Sequence, residues 1–84
     1  MRSALPADHK VETWHELCLA LGGDMTSFTG GLLLLIAKAD PGNRARLRQG
    51  FPKHVAAWEM WTERGGAGLT SGELEAALRA VPDR

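Results

Sequence analysis

Six consecutive apolar residues, Leu32, Leu33, Leu34, Leu35, Ile36 and Ala37, constrain this chain more than any other feature. A helix built from them is apolar on every side, and such a helix has to be covered on every side. The run predicts a central helix over about residues 28–39, wrapped by amphipathic segments from the rest of the chain. At least one of Leu34 and Leu35 is then expected deep in the core, where replacement by alanine costs about 2–5 kcal/mol. The run is too short to span a bilayer, which takes roughly 20 residues.

With 84 residues, one domain is expected over 1–84. A chain this small buries only about 60–65% of its unfolded surface, so its stability margin is thin. Cys18 is the only cysteine, which excludes a disulfide within the chain and suits a reducing, cytoplasmic setting. The first residues carry no apolar signal-peptide core. Ten basic side chains balance ten acidic ones, whereas dedicated nucleic-acid binders are usually clearly basic. The distribution is less even than the total: residues 38–54 hold Lys38, Arg44, Arg46, Arg48 and Lys53 against Asp40 alone.

Residues 1–7 read as a frayed start. From Asp8, a plausible N-cap, Val11, Trp14, Cys18 and Leu21 recur at helical steps, and Gly22-Gly23 ends that helix. Thr26 or Ser27 caps the central helix, whose Gly30-Gly31 is costly unless another backbone approaches closely there. Asp40-Pro41 stops the central helix and caps a short polar third one, anchored by Leu47 and Phe51 and ended at Gly50. Pro52 opens a fourth helix through Val55, Trp58 and Trp61. After a Gly-rich connection at 65–69, Thr70-Ser71-Gly72-Glu73 forms a capping box, followed by the Leu74, Ala77, Leu78, Val81 stripe of a fifth helix. No segment shows sustained two-residue alternation. The fold expected is all-α, a compact bundle of four to five short helices.

Catalytic and metal-binding patterns are thin. Glu12 and His15 make a single E-x-x-H step, whereas di-iron bundles use two with further glutamates. His15, Cys18 and His54 fall short of a four-ligand zinc set, so Cys18 reads as a small buried hydrophobe. No nucleophile elbow or similar local signature is present, and so small a bundle has little room for a pocket of a few hundred cubic ångströms. No enzyme activity, cofactor, metal or small-molecule substrate is expected.

Two sets remain. Trp58, Met60 and Trp61 cannot share one groove, since positions 58 and 60 diverge by about 200°. They read either as a protein interface, at which large aromatics with methionine are enriched, or as core filling. Arg44, Arg46, Arg48 and Lys53 read as a solvated face whose arginines pair with Glu59, Glu63 or Asp40. The alternative is a helix-turn-helix-like DNA-binding regulator with Arg44 and Arg48 on one face.

The run LLLLIAKADPGNRARLRQGFPKHVAAWEMW, with Lys38-Ala39-Asp40, Asn43-Arg44, Arg46-Leu47, Gly50-Phe51-Pro52 and Val55, resembles a pattern in small uncharacterised helical proteins of bacteria and their phages. The resemblance covers roughly residues 28–61. It implies a compact helical module of a phage or mobile element and implies no chemistry. The function expected is a non-enzymatic protein-interaction module that binds itself, as a homodimer, or a host protein.

Overall fold

Side-chain caps and prolines mark where most of the helices begin. The computed structural model describes residues 5–24, 26–64 and 68–82, and these are all-α. The helices are α1 (Trp14–Ala20), α2 (Phe28–Lys38), α3 (Pro41–Gly50), α4 (Pro52–Glu63) and α5 (Ser71–Arg79). The Asp40 carboxylate accepts from the Asn43 amide at 2.8 Å with Pro41 opening α3, and Pro52 opens α4. Thr70 and Glu73 close the expected capping box on α5.

α1 begins later than the periodicity predicts. Thr13 is its N-cap and forms a second capping box with Glu16, so Glu12 lies ahead of the helix and does not share a helical face with His15. Residues 7–11 run alongside 69–72 instead. The Val11 amide donates to the Leu69 carbonyl at 2.7 Å, and the amides of Ser71 and Gly72 donate to the carbonyls of His9 and Ala7 at 2.8 Å each. A Cβ on Gly72 would stand 2.9 Å from the Ala7 carbonyl oxygen, so only glycine lets the two segments approach this closely. Val11 is fully buried; its apparent helical spacing reflects inward packing from an extended segment. Leu5 packs against the core, so of the expected frayed start residues 5–7 are tied down and 1–4 lie outside the described residues. Residues 65–67 of the expected connection also lie outside them, and Leu69 at its end is buried. Gly22, at φ +84°, supplies the left-handed turn that ends α1.

The core joins Val11, Leu17 and Cys18 of the first third to Leu33 and Ile36 of α2, Val55 and Ala57 of α4, and Leu69, Leu74 and Leu78 near α5. α4 packs against α2, α3 and α5, while α1 bridges α2 and α5. No α3 residue is buried.

α2 is covered on one side only. Leu32, Leu33 and Ile36 face the core, whereas Leu34 is 49% exposed, Leu35 53% and Phe28 70%. This corrects the expectation that Leu34 or Leu35 is deep in the core. After Asp40-Pro41 the chain turns α3 onto α4 and leaves the opposite face of α2 uncovered. Gly31 lies on that open face, and a Cβ there would meet nothing within 4 Å; no backbone among the described residues explains it.

The burial pattern moves the stability cost along α2. Leu33→Ala is expected to lose about 2–5 kcal/mol, while Leu34→Ala and Leu35→Ala lose about 1 kcal/mol or less, as exposed positions do. Urea unfolding of the three variants checks this, and a large loss at Leu34 or Leu35 would contradict the exposure.

Candidate functional site

The α4 set expected as an interface is half-buried. The Trp61 indole N–H donates to the Val11 carbonyl at 2.9 Å, and its ring meets Trp14 edge-on at 6.1 Å between centroids. Trp58 lies under the Arg44 guanidinium, 4.4 Å from its ring centroid. Trp58, Met60 and Trp61 all pack against the core cluster. Buried indole N–H groups need a partner, and Trp61 has one. The exposed large hydrophobics among the described residues are on α2 instead.

The basic segment divides by role. Arg44 donates to the Ala39 carbonyl at 2.9 Å and lies 3.5 Å from that of Ile36. It thus satisfies carbonyls at the negative end of α2 while stacking on Trp58 of α4. Arg48 pairs with Glu59 at 2.6 Å, the pairing expected of a solvated face. Arg46 is exposed and donates only weakly, at 3.4 Å, to Asn43. Lys53 is half-buried at the start of α4.

The titratable groups serve structure. Hydrogen bonding to the His9 ring, and then to the Glu12 amide, the Thr13 hydroxyl and the Thr13 amide, holds the Glu16 carboxyl down at about 2 against an opposing effect of burial smaller than that of His9. The Cys18 thiol is fully buried, and burial, with the nearby Asp24 charge, pushes its pKa up, which suppresses the nucleophilic thiolate. Burial lowers the pKa of His54, whose ring stands edge-on to Phe51. His15 is exposed on α1, so His15, Cys18 and His54 do not converge. Among the described residues no three His, Cys, Asp or Glu side chains could hold one metal ion.

What sequence reasoning missed is the open face of α2 and the cleft beside it. The cleft, about 460 Å³, runs between the C-terminal half of α2 and the start of α3, lined by Leu35, Lys38, Ala39, Asp40, Asn43, Arg46 and Leu47. Its volume exceeds what a bundle of this size was expected to offer. Its walls are apolar at Leu35, Ala39 and Leu47, with Lys38 and Arg46 supplying positive charge. The arrangement offers apolar contact area and hydrogen-bond donors, and places no nucleophile beside a base. The α2 register could have signalled the open face, because Phe28, Gly31, Leu35 and Lys38 recur at helical steps. No helix among the described residues is long and apolar enough to cross a membrane. Comparison with family models, curated proteins and solved structures finds no match to the chain.

Arg44→Ala is expected to cost about 2 kcal/mol, from charged hydrogen bonds and a cation–π contact. Arg46→Ala should stay within about 0.5 kcal/mol, as ordinary surface changes do. Thermal and urea unfolding read the contrast, and equal effects would remove the role given to Arg44.

Glu16 makes stability depend on acid. Because its folded-state pKa is depressed, its contribution is complete above the ordinary carboxylate range and is lost as pH falls towards about 2, where the unfolded chain binds a proton the folded one does not. Glu73, held down chiefly by the Thr70 hydroxyl, acts in the same direction. His9→Ala removes the largest cause at Glu16, so its urea midpoint should fall less steeply than the parent's between about pH 5 and pH 2. Parallel pH profiles would contradict the coupling.

Proposed function

We propose that this chain is a small non-enzymatic protein-interaction module, a phage or mobile-element accessory protein of the cytoplasm, that binds itself or a host protein through the open face of α2. The observation carrying this reading is that Phe28, Leu34 and Leu35, the exposed large hydrophobics among the described residues, all lie on one helix. Exposed apolar surface gathered in one patch marks an interaction site more often than scattered residues do. The α4 tryptophans expected to make the contact are held within the fold, so the contact face shifts to α2. The phage or mobile-element origin rests on the resemblance over residues 28–61, and the cytoplasmic setting on a single, buried cysteine.

The DNA-binding alternative has less support. Arg44 and Arg48 are both engaged within the fold, so part of the segment's positive charge is committed to structure, which weakens a phosphate term.

Affinity capture with the tagged chain, alongside chemical cross-linking of the purified protein, tests the proposal. The parent should retain a near-stoichiometric protein, itself or another, and Leu34→Glu with Leu35→Glu should lose it while keeping the helical circular dichroism. Trp61→Phe should retain the partner and lose about 1 kcal/mol of stability with its hydrogen bond to Val11. Loss of DNA binding that falls steeply with salt, on replacing Arg46 and Lys53 by alanine, would favour the DNA reading instead.

A further inference from the structure

Phe28, Gly31, Leu35 and Lys38 follow one another at spacings of three, four and three residues. At 100° per residue they fall within about 80° of arc on α2. That spacing is a palindrome. When two copies of such a helix pack antiparallel about a two-fold axis near residue 33, position 28 of one copy comes level with 38 of the other, and 31 with 35. An isologous interface requires this self-complementarity of one patch.

The residues at matched positions suit each other. Gly31 is exposed, and the space a side chain there would take is empty, while Leu35 at the matched level projects a half-exposed side chain. Each glycine thus leaves a hole for the partner's leucine. Phe28 rests against Phe51 at 5.8 Å between centroids and is still 70% exposed. At its matched level stand Lys38 and the mouth of the 460 Å³ cleft walled by Leu35, Ala39 and Leu47. One molecule therefore carries both a protruding aromatic ring and a cleft with apolar walls at Leu35, Ala39 and Leu47 and polar groups at Lys38, Asp40, Asn43 and Arg46, at mirrored ends of one helix.

We infer that the occupant of this face is a second copy of the chain, paired antiparallel through α2, with each Phe28 seated at the partner's cleft and each Leu35 over the partner's Gly31. The inference rests on the interaction reading above and names the partner. The charges permit it. Lys38 of each copy lies beside the partner's Phe28, whose ring face attracts a cation. The two Lys38 residues stand about 15 Å apart along the axis, beyond the ~8 Å screening length at physiological salt.

The area places the interface in a size class. Phe28, Leu34 and Leu35 leave about 300 Å² open per copy, taking ~200 Å² for a whole phenylalanine side chain and somewhat less for leucine. Even with the cleft walls added, the two-copy total falls below the ~1,200–2,000 Å² of tight complexes. The dimer accordingly belongs with the weak, transient associations, of about micromolar Kd or weaker.

Sedimentation equilibrium of the purified full chain from about 5 to 500 µM tests this. The parent should pass from monomer to dimer across that range. Phe28→Ala and Gly31→Leu should each weaken association at least tenfold with helical circular dichroism preserved. Gly31→Leu is the sharper variant: it enlarges the apolar patch, so a face that is merely sticky would associate more strongly, and that result would overturn the pairing. Lys38→Cys under mild oxidation should give no disulfide-linked dimer, since Cα atoms beyond about 7 Å cannot be bridged; efficient cross-linking would show a parallel arrangement and also overturn it. A parent that stays monomeric at 500 µM refutes self-pairing. If affinity capture still shows a different protein lost with Leu34→Glu and Leu35→Glu, the interaction reading survives that refutation.

Discussion

The residue on which the two ends of this chain meet is Val11. Its amide donates to Leu69, its carbonyl accepts from the Trp61 indole, and its side chain is fully buried. These contacts join the N-terminal segment to α4 and to the approach to α5 at a single point. A chain that buries so little of its surface cannot leave an inward carbonyl unpaired without a large fractional loss of stability. Trp61 is therefore as much a hydrogen-bond donor to the fold as a bulky apolar side chain. The position of α5 depends on the same join, because Leu69, Ser71 and Gly72 reach their places by pairing with residues 7–11.

Arg44 plays the corresponding part on the other side of α4. The Asp40-Pro41 junction ends α2 abruptly and leaves carbonyls without intrahelical partners. One guanidinium, lying against Trp58, takes up the Ala39 carbonyl and so ties the end of α2, the first turns of α3 and the middle of α4 together. A lysine could supply the charge there but not the planar stacking and forked donors. The most basic stretch of the chain thus owes part of its charge to architecture, which weakens any argument from charge clustering to nucleic acid.

With α4 surrounded by α2, α3 and α5, no element among the described residues covers the far side of α2. Five short helices suffice for one core, and the leucine run supplies more apolar surface than that core can take. The surplus appears as an open face with a cleft at one end and a protruding phenylalanine at the other. This follows from the order of the helices, which packs α4 among α2, α3 and α5.

Local chemistry determined much of what was legible in the sequence. Asp40-Pro41, Gly50-Phe51-Pro52 and Thr70-Ser71-Gly72-Glu73 mark helix ends through caps and proline geometry, which act within a few residues and need no tertiary context. The all-α class and the burial of Cys18 follow from the same kind of short-range pattern. Thr13-Trp14-His15-Glu16 carried an equal signal for the start of α1, but the spacing of Val11, Trp14 and Cys18 imitates a longer helix, and periodicity alone cannot separate a helical turn from an extended segment packed inwards. Which side of α2 faces water was not legible in the run of six apolar residues itself, which has no polar side to mark it; only the flanking Gly31 and Lys38, in helical register with Leu35, hinted at it. Nor was the role of each arginine or tryptophan, since a partner 50 residues away, as Val11 is for Trp61, leaves no trace in local sequence. Those choices were made by tertiary packing, where several short helices compete for one core and the last uncovered face goes to the helix with no neighbour left to take.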